Sequence, residues 1–170
     1  MKRGSNQLNK RPTDSFGEFK KAARAAFAFL ASPPYNCQEH QTVIRPPECS
    51  INYLNKTTGV TVSYEWGGSP SVVLTKLKHG SALISEGEQI GLKFIVMERC
   101  PSRVDRFDRN VGDDLEGTLK DHAQILKECG YEILTGDFEM FPRLKQLAIE
   151  EEYRANLELF GSGTGEIVQN

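Results

Sequence analysis

Residues 60–66, VTVSYEW, alternate without a break, with Val60, Val62, Tyr64 and Trp66 on one side and Thr61, Ser63 and Glu65 on the other. Successive side chains of a strand point to opposite faces, so this run predicts a strand with one side buried. INYL at 51–54 precedes it across the turn-forming NKTTG, and SVVLTKL at 71–77 follows it across GGSP. Short runs separated by such turn residues predict three consecutive antiparallel strands. QTVI at 41–44 ends just before Pro46-Pro47; it is expected as a fourth strand at a sheet edge, where proline does least harm.

The chain on either side of this meander has helical spacing. Phe16, Phe19, Ala23, Phe27 and Leu30 fall on one face of a helix that Thr13 or Asp14 can cap and that Ser32-Pro33-Pro34 stops. Val111, Leu115, Leu119, His122, Leu126 and Cys129 mark a second helix, with Asp113 and Asp114 near the positive end of its dipole and Gly130 beyond its last turn. Gly130 is expected in the left-handed conformation that closes a helix, and Asp137 is expected to open the next one. That last helix carries Pro142 close to its first turn, an expected buried stripe of Phe138, Phe141, Leu144, Ala148, Ala155 and Leu159, and a wet side at Glu150, Glu151, Glu152 and Arg154. SEGEQIGLKFIVMER at 85–99 fits two periods. Leu92, Phe94 and Val96 alternate like a strand, whereas a Ser85/Glu88 capping box with Ile90, Phe94 and Met97 fits a helix, and helix is the reading adopted. CPSRVDRFDRNVGDD reads as a charged loop. The fold class expected is α+β: an N-terminal helix, an antiparallel meander of three or four strands, and two or three C-terminal helices packed on one sheet face. A single domain over 13–160 is expected between flexible tails at 1–12 and 161–170.

Composition narrows the function classes. With 170 residues, 38% hydrophobic and 26% charged, the chain can build one sizeable core. A formal charge of −2 supplies no field that gathers nucleic acid or an anionic membrane. Arg99, Arg103, Arg106 and Arg109 are interleaved with Asp105, Asp108, Asp113 and Asp114, a pattern of solvated ion pairs. No run reaches the ~18 uncharged apolar residues that span a bilayer, and the apolar stretch after the basic N-terminus is broken by Glu18, Lys20, Lys21 and Arg24. The expectation is a cytoplasmic protein with no membrane or nucleic-acid partner. Its cysteines, Cys37, Cys49, Cys100 and Cys129, are widely spaced and are read as reduced thiols.

Chemistry is sparse. Cys37, His40 and Cys49, with Cys100 as a distant fourth group, fall short of the spacing of a zinc site, and isolated thiols are the preferred reading. His122 and Cys129 share a helix face, but seven residues separate them by roughly 10 Å, too far for proton transfer. His122 is therefore read first as a core residue. The chain has no nucleophile elbow and no phosphate loop, and GSGTG at 161–165 follows a helix where a dinucleotide loop follows a strand. No cofactor, metal or catalytic residue is assigned. Tyr53, Tyr64 and Trp66 raise two alternatives: an aromatic platform if they face away from the helices, or core if they face them, with core preferred.

Leu126, Gly130, Tyr131, Leu134, Gly136, Asp137, Phe138 and Phe141, in DHAQILKECGYEILTGDFEMFPRLKQL (121–147), give the last third a resemblance. It is similar to the closing helices of short uncharacterised bacterial proteins of the mobile-gene-cassette or immunity-protein type. What the resemblance implies is binding, and it transfers no active-site residue. The functional expectation is a non-catalytic bacterial protein-interaction module that neutralises or regulates a partner protein. The alternative is a small-molecule binder or hydrolase-like enzyme with its pocket between sheet and helices. Tyr53, Tyr64, Glu65, Trp66 and His122 are the candidate surface or ligand residues, and oligomeric state is left open.

Overall fold

The computed structural model describes residues 12–42, 47–66, 68–78, 87–107 and 114–160. The chain divides into two compact units, 1–138 and 139–170.

The first unit is built on a five-stranded antiparallel sheet in sequential order: β1 (Asn36–Thr42), β2 (Glu48–Leu54), β3 (Thr58–Glu65), β4 (Pro70–Lys76) and β5 (Glu88–Gly91). Register decides which side chains share a face. Cys49 pairs with Tyr64, Ile51 with Val62 and Tyr53 with Val60, while Val72 faces Val62 and Leu74 lies between Val60 and Ile90. Those apolar side chains form the dry face, and apart from the half-buried Tyr64 all are buried. The alternation of 60–66 thus sets the dry side up to Tyr64. Trp66 departs from it, because β3 ends at Glu65 and Trp66 sits in the following turn, 43% exposed.

Helices cover the dry face. α1 (Pro12–Ala26) and the 3-10 turn Ala28–Leu30 bury Phe16, Phe19, Ala23, Phe27 and Leu30. The Phe19 ring stacks on Tyr64 at 5.5 Å, Phe16 meets the same ring edge-on at 6.3 Å, and Phe27 stacks on Tyr53 at 6.4 Å. Each such aromatic pair contributes about 1 kcal/mol beyond its area burial. Arg24 of α1 forms an ion pair with Glu39 of β1, with Arg24 Nε at 2.8 Å, and Lys20 Nζ lies 3.7 Å from the same carboxylate. α2 (Leu92–Arg99) and α4 (Leu115–Cys129) pack against β4, and α4 also packs along α1. α4 starts at Leu115, later than the spacing that included Val111 suggests, and the Asp114 carboxylate accepts from Gly117 N–H at 2.8 Å, satisfying one of the amides orphaned at a helix start.

Several expectations are corrected. The sheet has five strands, because 85–99 is neither wholly helix nor wholly strand: Glu88–Gly91 pairs with β4, and the helix begins at Leu92. Glu88 therefore lies in a strand instead of a capping box, and Ser85 lies outside the described residues. The edge strand is Asn36–Thr42, offset from the expected 41–44. The 101–107 segment expected as loop holds a 3-10 turn, Pro101–Arg103, and the short helix α3, Val104–Phe107. Val111, Asp113 and the tails 1–11 and 161–170 lie outside the described residues, as do the side chains of Thr13 and Asp14.

The corner after α4 also differs in its chemistry. Gly130 has φ −112°, an ordinary conformation. Its glycine is needed for space, since a Cβ there would lie 2.8 Å from Leu126 Cδ1. The left-handed residue is Gly136, at φ +95°, and it follows a short intervening helix, α5 (Tyr131–Leu134). Asp137 lies four residues before the last helix begins at Phe141, and its N–H donates to the Glu132 carbonyl at 2.9 Å. The β2–β3 turn and the chain before β1 hold this corner in place. Thr58 Oγ1 donates to the Ile133 carbonyl at 3.0 Å and Tyr35 OH to the Leu134 carbonyl at 2.7 Å, and the Asn55 amide reaches the same Leu134 oxygen at 3.4 Å. A disulfide between Cys100 and Cys129 joins the chain after α2 to the end of α4. That bond overturns the reduced-thiol expectation for these two residues. Cys37 and Cys49 are free.

The second unit is described by itself. Its helix α6 (Phe141–Phe160) starts later than the sequence suggests, with Pro142 as its second residue, a position where the missing N–H costs nothing. Phe141 and Leu144 are buried and Ala148 is half-buried, but Ala155 is exposed, so the expected stripe does not run the length of the helix.

Candidate functional site

Among the described residues, α4 forms one wall of a cavity. Helical spacing puts Leu119, His122, Leu126 and Cys129 on the inner face of α4, all of them buried. The His122 ring stacks on Phe107 at 4.6 Å and 26°. Together with Arg103, Thr118, Asp121, Gln124 and Ile125 these two rings line a cavity of about 210 Å³.

Burial pushes the His122 imidazole down to about 4, against a smaller upward pull from Asp121. The ring is neutral at neutral pH, and its Nδ1 is buried with no hydrogen-bond partner. Arg103 Nη1 forms an ion pair with Glu128 at 2.7 Å. The Gln124 amide, which donates to the same Glu128 carboxylate at 2.6 Å, and then that arginine hold the Glu128 carboxyl below the usual range. Thr118 Oγ1 donates to the Asp114 carbonyl at 2.8 Å. No cysteine lines the cavity, and Cys129 is bonded to Cys100. A neutral imidazole flanked by an arginine already paired with a carboxylate can accept a hydrogen bond and stack on a planar group. Among the described lining residues Thr118 is the one hydroxyl nucleophile, and its proton is directed at the Asp114 carbonyl.

The five candidate residues are not brought together. Tyr53 is 1% exposed and stacks under Phe27, so it belongs to the core; burial pushes its phenol up, and its OH is unpartnered. Tyr64 faces the helices between Phe16 and Phe19. The platform alternative therefore fails for both tyrosines, because the even-numbered residues of β3 and the odd-numbered residues of β2 paired with them share the helix-facing side. Glu65 and Trp66 are exposed at the end of β3. His122 alone lines the cavity. The side of the sheet away from the helices is only partly open: Asn52, Thr61, Ser63 and Val73 are half-buried, and Ser63 and Ser71 share a hydroxyl hydrogen bond at 2.8 Å.

Register also separates the residues weighed as metal ligands. Cys37 pairs with Tyr53 and Cys49 with Gln41, so the two thiols sit four rungs apart, about 13 Å along the sheet. Burial raises both thiols. Among the described residues no group of three or more His, Cys, Asp or Glu side chains is placed to hold a metal.

A second feature was not singled out from the sequence. Ile149, Tyr153 and Leu157 of α6 are 61%, 66% and 52% exposed. Four-residue steps put them on one face of the helix. With Arg103 and Phe107 of the cavity wall, they are the residues that sequence reasoning passed over. The signal for the stripe was its i, i+4, i+8 spacing, hidden by a second apolar set on the same helix. The chain matches no family model, no curated protein and no solved structure, so these two features carry the functional argument.

Proposed function

We propose that this protein is a non-catalytic protein-interaction module that uses the exposed stripe of α6 as its contact surface. The observation that supports this reading is the exposure of Ile149, Tyr153 and Leu157 on one helix face. Exposed apolar groups gathered in one patch mark docking surfaces more often than groups scattered singly, and an amphipathic helix is a recurrent way of presenting three or four anchors to a groove. Tyrosine suits such a contact because it offers a large rigid area at little entropic cost. The resemblance of residues 121–147 to proteins of the immunity type points the same way. The test is a photoreactive residue in place of Tyr153, with Ser71 on the sheet as the control position, irradiated in cells that express the protein naturally. The reading expects discrete protein adducts from position 153 and none from 71. Equal yields at the two positions, or none at 153, would overturn it.

A second reading rests on the His122 cavity. Its volume of about 210 Å³ falls below the ~300 to 1,000 Å³ of ordinary ligand pockets, so it suits a small planar group accepting little more than one stacking contact. A thermal shift produced by such a compound, and abolished in His122→Leu, would favour this reading over the first.

A further inference from the structure

The polar groups of the α4 cavity differ in whether they are already satisfied. Thr118 Oγ1 is committed to the Asp114 carbonyl at 2.8 Å, and Arg103 and Gln124 are committed to the Glu128 carboxylate at 2.7 and 2.6 Å. His122 is 4% exposed, lines the cavity, and has a buried Nδ1 without a partner. Leaving such an atom unpaired is costly, so a ligand that pairs it is favoured over one of equal size that does not. A neutral imidazole holds one N–H and one bare nitrogen. A hydroxyl both donates and accepts, so it satisfies Nδ1 in either tautomer.

Size, shape and charge narrow the rest of the ligand. A dry apolar cavity of ~150 Å³ holds benzene, so about 210 Å³ has room for a six-membered ring with a small substituent. The stacked rings of Phe107 and His122 and the Ile125 side chain give the cavity flat apolar surface, which a planar molecule covers with little loss of contact. An anion meets Asp121 in the lining and a guanidinium already shared with Glu128, and burial keeps the imidazole from adding a positive charge. A cation meets Arg103. Neither sign of charge is matched, and an unmatched charge loses its hydration on entry. Resting on the ligand reading of this cavity, we propose that its ligand is a small uncharged aromatic alcohol, a single-ring phenol, with the ring against Phe107 and Ile125 and the hydroxyl hydrogen-bonded to His122.

Three probes test this on the intact chain: phenol, toluene and benzoate, each titrated while the His122 ring nitrogens are followed by NMR. Phenol and toluene are nearly equal in size, but toluene makes no hydrogen bond. Phenol is expected to bind more tightly than either of the others and to move the His122 nitrogen resonances. In His122→Leu its advantage over toluene should fall by about ten-fold. Equal binding of phenol and toluene to the wild type, or tighter binding of benzoate, would overturn the phenol assignment and leave a ligand cavity standing. An unchanged ratio in a folded His122→Leu would overturn the His122 contact. No binding of any probe would remove the cavity reading as well. If circular dichroism shows that His122→Leu does not fold, the wild-type comparison decides alone.

Discussion

Replacing His122 with leucine should change how the protein responds to acid. The imidazole is held at about 4 in the folded chain against 6.5 when free, a displacement equivalent to about 3 kcal/mol. Because the folded value is the lower one, the unfolded chain takes up the proton first. The stabilisation is complete above about pH 6.5 and is lost as pH falls from there toward about 4. Between about pH 7.5 and about pH 5 the calculated loss is about 2 kcal/mol. The groups facing the ring are Asp121, whose charge opposes the effect, and Arg103, which is paired with Glu128. Urea unfolding of wild type and His122→Leu across this range should therefore show the stability difference shifting by about 2 kcal/mol in favour of the variant toward acid, whatever the offset at neutral pH. The carboxylates held low, Glu128 and Glu132, titrate below this window and are common to both proteins. Parallel curves would refute the reasoning, as would an NMR titration placing the His122 ring near its free value.

Thr58→Val should cost about 1 kcal/mol in urea, not more, since the Ile133 carbonyl keeps its bond from Gly136 N–H at 3.0 Å. Removing the Cys100–Cys129 bond, which spans 29 residues, with paired alanines should lower stability by roughly 3 to 4 kcal/mol on the chain-entropy account, and reductant should reproduce the loss in the wild type. Gly136→Ala, at φ +95° with Thr57 Oγ1 2.9 Å from the new Cβ, should cost about 1 to 2 kcal/mol. Gly130→Ala should also destabilise, although its backbone is unstrained, because the new methyl meets Leu126; wild-type stability in either glycine variant would contradict the packing described.

The meander was legible because β3 is long enough to show its period: Val60, Val62 and Tyr64 alternate with polar residues and face α1 as expected. Segment 88–99 was not, since a four-residue strand runs into a helix with no turn between, and Phe94 and Val96 satisfy both periods. At the corner, the sequence marked Gly130 as special but could not tell conformation from space. Gly130 is excluded from a side chain by Leu126, a contact that only the folded helix creates. The Cys100–Cys129 pairing depends on where α2 ends against α4, which spacing does not encode, and such a bond persists in oxidising compartments. On α6 the sequence favoured Ala148 and Ala155 over Ile149, Tyr153 and Leu157, yet Ala155 is exposed and the larger three remain open to solvent.

Photocross-linking from position 153 in cells that express the protein tests the role given to that open stripe most directly. Discrete protein adducts that disappear when the exposed Ile149 and Leu157 are both replaced by glutamate are the predicted result. Adducts unchanged by those replacements, or no adducts at all, would contradict it.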